Sequence, residues 1–111
     1  MMRILFDQGT PVPLRKALSE HSIATAYECG WSALKNGELL QSAEDGGFEI
    51  LITTDMNLRY QQNLASLKIA VIVLSTTSWP RIQRVITQIT EAINQASIGS
   101  YCEIDIPYRN Q

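Results

Sequence analysis

The sequence predicts a single α/β domain over residues 1–111, built on a mostly parallel sheet of four to five strands with helices on both faces. Short apolar runs alternate with segments of helical periodicity along the whole chain, which is typical of such a sheet. The apolar fraction of 45% and the charged fraction of 18% are those of a globular protein. A length of 111 residues suits one domain that buries its own core.

Five segments have the composition of strands. Residues 49–54 and 69–74 are nearly continuous apolar runs, which predict strands covered on both faces. Residues 3–6 predict a short buried strand, and residues 23–27, rich in small and β-prone side chains, predict another. Residues 101–106 alternate polar and apolar side chains and therefore predict an edge strand.

Helices are predicted between these strands. Pro11 and Pro13 suit the first turn of a helix, and Gly46-Gly47 ends a second helix that begins near Asn36. The longest helix follows Ser78, a favourable N-cap residue. Its apolar side chains repeat at intervals of three and four, at Ile82, Val85, Ile86, Ile89 and Ile93.

Composition and residue spacing also argue against several classes of protein. No apolar run reaches the roughly 20 residues of a membrane span, and no secretory leader is recognisable, so we expect a cytoplasmic protein. Cys29 and Cys102 lack the spacing of a zinc site, and His21 is expected to cap a helix end. The net charge of −2 disfavours non-specific nucleic-acid binding, but an acidic chain is compatible with a metal-dependent phosphodiesterase.

Acidic and hydroxyl side chains follow three of the predicted strands. Asp7 follows the first strand, Asp55 the third, and Ser75-Thr76-Thr77 the fourth. Right-handed crossovers would bring these strand ends to one edge of the sheet, where ligands of open α/β sheets bind. Carboxylates there supply hard oxygen ligands for Mg²⁺ or Mn²⁺, which in turn polarise a phosphate and activate water. Asp7 and Asp55 are therefore the predicted centre of a catalytic metal site.

Further residues could complete that site. Glu38 offers a third acid, catalytic or metal-binding, while Asn36, Thr54 and Asn57 could support a ligand or a bound water. Each has a structural alternative. Asp7 and Asp55 could cap the turns that follow them, and a glutamate near a helix N-terminus is favourable without any ligand.

Basic and aromatic residues near the same edge suggest contacts with nucleic acid. Lys35, Arg59 and Arg81 are the predicted RNA or phosphate ligands; Arg81 lies in the first turn of the last helix. Trp31 and Trp79 flank the predicted edge and would either stack on a base or pack into the core.

Three segments carry a resemblance to a known family. The order "RILFDQ", "NGELLQSAEDGGFEILITTDMNLRY" and "IAVIVLS" resembles the small PIN-like proteins, relatives of the PIN-domain ribonuclease toxins of bacterial toxin–antitoxin pairs. It spans about the first three quarters of the chain. By this resemblance Asp7 matches the acid after the first strand, Asp55 the acid of a Thr-x-Asp segment, and Asn57 the residue two positions on. The resemblance implies Mg²⁺ or Mn²⁺ and hydrolysis of single-stranded RNA.

The chain also departs from the family pattern. Asn36 stands where typical toxins have an acid, and Glu38, two residues on, could replace that acid. The glutamate that full-length PIN domains carry on an additional helix after the second strand has no clear match, and Glu28 is the nearest candidate. Two hypotheses therefore remain. One is an RNA-cleaving enzyme, as in the toxin of a toxin–antitoxin pair; the other is a PIN-like protein-binding module with little or no activity. An antitoxin partner belongs to the first hypothesis, and the edge strand is compatible with a homodimer.

Overall fold

The structure, a computed structural model, describes residues 1–58 and 67–108. Its strands are β1 (Arg3–Phe6), β2 (Ser22–Thr25), β3 (Ile50–Thr53), β4 (Ala70–Leu74) and β5 (Tyr101–Ile104). Its helices are α1 (Leu14–Ala17), α2 (Asn36–Asp45), α3 (Trp79–Ile82) and α4 (Ile86–Gln95), with a 3₁₀ turn at Gln83–Val85 between the last two. In this part of the chain, no helix is long and apolar enough to cross a membrane.

The five strands of the described residues form one sheet in the order β2-β1-β3-β4-β5. Every neighbouring pair is parallel; in the registers of the central strands, Ile4 lies opposite Ile50, and Ile50 opposite Ala70. The predicted α/β class with a parallel sheet is confirmed, and so is the edge position of β5. Because β2 lies on one side of β1 and β3 on the other, the strand order reverses between β1 and β3. That reversal is where ligands of open parallel sheets bind.

The two faces of the sheet are buried by different helices. Alternate residues of each strand point to opposite faces, so Phe6 and Leu5 belong to separate cores. Leu14 of α1 and Ile89 of α4 pack on the Phe6 face, whereas Leu40 of α2 packs on the Leu5 face. The prediction of helices on both faces is therefore confirmed. Double coverage also explains why β3 and β4 are apolar runs without alternation.

The crossovers do not all have the same hand. The β1–β2 connection through α1 and the β4–β5 connection through α3 and α4 cover the same face. They move in opposite directions along the sheet, since β2 lies beyond β1 at one edge and β5 lies beyond β4 at the other. Two such crossovers must have opposite hands, so the expectation of uniformly right-handed connections is wrong for one of them. The parallel strand directions still bring all carboxyl ends to one edge.

Two local predictions need correction. The long helix after Ser78 is interrupted, because Val85 has φ −120° and ψ 24°, outside the α region. The predicted N-cap is present: Ser78 Oγ accepts the Arg81 N–H at 3.4 Å. His21 does not cap a helix; its Nδ1 accepts the Met2 N–H at 3.0 Å and so ties the start of β1 to the start of β2.

Candidate functional site

Asp7 is half-buried at the carboxyl end of β1, between β2 and β3. Its N–H donates to the Ile52 carbonyl at 3.0 Å, which extends the β1–β3 ladder by one residue. Its carboxylate accepts two bonds, from the Thr53 hydroxyl to Oδ2 and from the Gln8 N–H to Oδ1, both at 2.6 Å. Thr53 is only 1% exposed, so this hydroxyl fixes the carboxylate of Asp7 against β3.

Asp55 is connected to Asp7 through the same hydroxyl. Its N–H donates to Thr53 Oγ1 at 3.1 Å, while that hydroxyl donates to Asp7. Asp55 Oδ1 accepts the Asn57 N–H at 3.0 Å and caps the turn after β3. The capping contacts foreseen as alternatives are thus present for both acids, and the structure brings the two residues to the strand-order reversal.

The loops after β1, β3 and β4 pack tightly around this point. The Thr10 N–H donates to the Asp7 carbonyl at 3.0 Å, and the buried Thr10 hydroxyl donates to a β3 carbonyl at 2.9 Å. A Cβ on Gly9 would collide with the Thr54 hydroxyl and would also touch the Thr77 methyl group. A side chain at this position would force the Thr54 hydroxyl to move, so Gly9 lets the three loops meet without rearrangement.

The acidic side chains at this edge determine what kind of divalent cation site is possible. Mg²⁺ keeps several waters and is commonly held by one or two carboxylates, which Asp7 and Asp55 supply. Within residues 1–58 and 67–108, no three His, Cys, Asp or Glu side chains form a group that could hold a metal ion. Glu38 therefore does not join Asp7 and Asp55 in the predicted three-acid cluster. For Mg²⁺ or Mn²⁺ these residues offer two acids at most, with water in the remaining positions, and the described residues contain no three-carboxylate cage.

The predicted residues around the start of α2 have capping contacts instead. Glu38 is exposed, and its Oε1 lies 3.4 Å from the Lys35 N–H at the helix N-terminus. Lys35 has the extended backbone of an N-cap residue, with φ −98° and ψ 171°, and is therefore the N-cap of α2. Asn36 is the first residue of α2. Arg59 lies outside the described residues.

A groove of about 600 Å³ opens beside Asp7, on the β2 side of the edge. Its lining residues come from the loop after β1, from α1 and from the end of β2: Asp7, Gln8, Thr10, Val12, Arg15, Thr25, Tyr27 and Glu28. Sequence reasoning missed this groove, because it concentrated on the strands that carry Asp7 and Asp55. The available signal was the acid at position 28, three residues after β2, which is the other neighbour of β1.

An ion pair forms one wall of the groove. Arg15 and Glu28 bind in a two-pronged arrangement, with Nη1 donating to Oε2 at 3.1 Å and Nη2 donating to Oε1. Thr25 completes it, since its N–H donates to Glu28 Oε1 at 3.0 Å and its Oγ1 accepts the Glu28 N–H at 3.1 Å. The Arg15 bond, with help from Thr25, lowers the pKa of Glu28 from 4.5 to about 2. The same pair raises the pKa of Arg15.

The opposite half of the edge is occupied by the segment after β5. Arg81 donates from Nε to the Pro107 carbonyl, from Nη2 to the Ile106 carbonyl and from Nη1 to the Thr76 hydroxyl, at 3.1 to 3.2 Å. The Tyr108 ring lies 4.8 Å from the guanidinium carbon of Arg81. The Ile106 N–H also donates to the Ser75 hydroxyl at 2.7 Å. The guanidinium predicted to hold phosphate is engaged with the chain itself at three nitrogens.

Neither predicted tryptophan is the exposed aromatic side chain of the groove beside Asp7. Trp31 packs edge-to-face against Phe48, with ring centroids 6.0 Å apart, and Trp79 packs against the core on the other face. Both tryptophans therefore follow their structural alternative. Tyr27, two residues beyond β2, is 78% exposed and lines the groove with Asp7.

Comparisons with known proteins give little further guidance. No protein-family model matches the chain, and no solved structure matches it. The chain is similar to the probable dipeptidyl-aminopeptidase B of Aspergillus terreus, with 28% identity over 87 residues. That match covers 76% of this chain and 10% of the fungal protein, so the chain spans about a tenth of the length of this relative.

Proposed function

We propose that this chain is a metal-dependent ribonuclease of PIN-like type that hydrolyses phosphodiester bonds of single-stranded RNA with Mg²⁺ or Mn²⁺. The observation that carries the proposal is the position of Asp7. Its carboxylate lies at the strand-order reversal, is bonded to Thr53, and lines an open groove. An acid used only to cap a turn has no need of a groove beside it.

The side chains have separate tasks in this proposal. Asp7 and Asp55 would hold the cation, which supplies a polarised phosphate and a water of lowered pKa. Thr53 holds the two acidic residues in fixed positions relative to each other, because its hydroxyl bonds to the side chain of Asp7 and to the backbone N–H of Asp55. Gln8, exposed at the mouth of the groove, is placed to bond a phosphate or ribose oxygen.

Charge makes the cation necessary for binding as well as for catalysis. The chain carries a net charge of −2, and the groove carries two carboxylates, Asp7 and Glu28, against one guanidinium, Arg15. A bare groove of this kind repels phosphate, whereas a bound divalent cation reverses the local sign. We therefore expect RNA binding to depend on the metal.

The proposal includes the location and partners that such an enzyme would have. It would act in the cytoplasm on single-stranded RNA, with an antitoxin protein and a second copy of the chain as candidate partners. The peptidase activity named for the fungal relative is not carried over, since the match covers a tenth of that protein. The competing proposal is a PIN-like module that binds a protein partner and has little or no activity.

Manganese titration, followed by thermal unfolding, tests the metal site. We expect wild-type protein to be stabilised by about 2.7 kcal/mol when Mn²⁺ exceeds its dissociation constant a hundredfold. Asp7→Asn and Asp55→Asn should lose this stabilisation, whereas Glu38→Gln should keep it because Glu38 lies outside the two-acid site. Asp105→Asn is the matched control, as it removes an exposed acid beyond β5. Identical curves for wild type and Asp7→Asn would exclude the site.

Cleavage of a single-stranded RNA pool in Mn²⁺ then separates the two functions. The ribonuclease proposal expects wild type and Asp105→Asn to produce the same fragments and Asp7→Asn to produce none. Metal binding without any cleavage by wild type would instead favour the protein-binding module.

A further inference from the structure

We propose that the groove between Asp7 and Tyr27 binds one nucleotide of the RNA strand next to the cleaved phosphodiester, with its base stacked on the Tyr27 ring. This inference rests on the proposed function and specifies how its substrate lies. It makes Tyr27 a substrate-binding residue and assigns single-stranded nucleic acid to a groove that otherwise has no role.

Tyr27 has the exposure and position of a stacking residue. Its side chain is 78% exposed although it borders a groove, and Val12 on the same groove is 58% exposed. A flat apolar ring beside polar groups suits a nucleobase, which has an apolar face and a polar edge. Gln8 and Thr25 line the same groove and offer polar atoms to the edge of such a base.

The groove also has the size of a nucleotide site. Its volume of about 600 Å³ lies within the range of pockets that bind small ligands. A base in a duplex has both faces covered by its neighbours, so only an unpaired base can stack on Tyr27. The geometry therefore favours single-stranded RNA over a duplex.

The Arg15–Glu28 pair keeps this wall rigid and nearly neutral. Each carboxylate oxygen of Glu28 accepts from the guanidinium, and the Thr25 N–H adds a third bond. Since the pKa of Glu28 is about 2, the pair persists throughout the range in which enzymes work. The Arg15 charge is thus balanced within the wall, and Asp7 is left as the unbalanced charge that a cation must offset. Nucleotide binding should accordingly require the metal.

The half of the edge that is covered by the segment after β5, here called the closed half, indicates over which side of Asp7 an RNA strand would continue. Ser75 and Arg81 are bonded to the segment that carries Ile106 and Pro107, and Thr76 accepts a further bond from Arg81. An RNA strand centred on Asp7 is therefore expected to continue over the β1–β2 half, where Tyr27 lies, rather than over the β4–β5 half.

Binding of a fluorescein-labelled ten-nucleotide RNA with phosphorothioate linkages, measured by anisotropy in Mg²⁺, tests the inference. Tyr27→Ala should weaken binding about tenfold, because stacking on an aromatic residue typically contributes a factor of this order. Tyr27→Phe keeps the ring and should bind within about twofold of wild type. Tyr108→Ala is the matched control, since Tyr108 is equally exposed, at 81%, but lies at the closed half.

Cleavage kinetics on an ordinary RNA give the second measurement. Tyr27→Ala should raise KM with little change in kcat, as expected for loss of uniform binding. Equal affinity of Tyr27→Ala and wild type would overturn the inference, and so would an equal loss in Tyr27→Phe and Tyr27→Ala. If wild type cleaves RNA through Asp7 while Tyr27→Ala keeps its KM, only the inference fails. If wild type neither binds Mn²⁺ nor cleaves, the proposed function itself fails.

Discussion

The two halves of the carboxyl edge use their polar residues differently. After β1 and β2, the chain leaves a groove in which Arg15 pairs with Glu28 and Tyr27 projects into solvent. After β4 and β5, the chain closes on itself, and Arg81 is bonded to carbonyl groups of the segment beyond β5. Both halves contain an arginine, a tyrosine and a threonine, and the groove beside Asp7 is lined by residues of the first half.

The difference shows why residue type alone does not identify a site. An arginine that bonds backbone carbonyls stabilises the fold, whereas an acid that lines a groove is available to a ligand. Asp7 lies between the two halves and is the proposed ligand-binding residue of this edge. Substitutions in each half test whether the two halves differ as described.

The largest contrast is expected from two apolar residues. Ile106 in the closed half is 3% exposed, so Ile106→Ala should destabilise the protein by about 2–5 kcal/mol through lost burial and a cavity. Val12 in the open half is 58% exposed, so Val12→Ala should change stability by less than about 0.5 kcal/mol. Urea unfolding measures both. Comparable losses would mean that the groove wall is as tightly packed as the closed half.

Removal of the Arg81 guanidinium should have the next largest effect. Arg81→Gln leaves the Ile106 and Pro107 carbonyls without their charged donor, and we expect a loss of about 1.5–3 kcal/mol. Chemical denaturation gives the stability. The salt dependence of RNA binding tests the separate prediction that Arg81 contacts phosphate, since loss of one such contact lowers the slope by about one. Wild-type stability in Arg81→Gln would show that the closed half does not depend on these bonds.

A smaller effect is expected at the centre of the edge. Thr53→Val keeps the shape of the side chain but removes the hydroxyl that joins Asp7 to the Asp55 loop, at a cost of about 1–2 kcal/mol. Mn²⁺ affinity should fall as well, because the two acids lose their common support. Thr53→Ser restores the hydroxyl and serves as the control. Mn²⁺ affinity that is unchanged in Thr53→Val would remove the positioning role of this residue.

The smallest effect is expected from the ion pair of the open half. The pKa of Glu28 is lowered on folding, so its stabilising effect is present above the ordinary value of 4.5 and disappears as pH falls toward about 2. Both side chains are partly exposed, and solvent screening keeps the contribution small. The melting temperature of wild type should therefore decrease slightly more than that of Glu28→Gln between pH 5 and pH 2. Parallel decreases would mean that the pair does not contribute to stability.

Much of the fold could be predicted from local sequence pattern. The first predicted strand agrees with β1, and the continuous apolar runs agree with β3 and β4 within one residue at each end. These segments are buried on both faces, so burial leaves a strong signal in their composition. The break in the last helix was missed because the apolar repeat continues through Val85 without a glycine or proline.

The candidate site was predicted only in part. Asp7 and Asp55 were found because an acid directly after an apolar strand is a local signal. The contribution of α1 and of the loop after β2 to the groove was not predicted. Arg15 and Glu28 are 13 residues apart, and the fold brings them together by placing α1 beside the end of β2. The partners of Arg81 could not be predicted either, because the carbonyl groups that it bonds lie 25 and 26 residues further along the chain.

The sequence by itself determined the alternation of strands and helices, the parallel sheet, and the presence of an acid at the end of β1 and another after β3. These are properties of neighbouring residues, which the periodicity of burial records directly. Only the tertiary structure decided that β2 is the other neighbour of β1, that one crossover changes hand, and that the segment beyond β5 covers half of the edge. Such features depend on contacts between residues far apart in sequence, and no local pattern encodes which polar group will find a partner and which will face a groove.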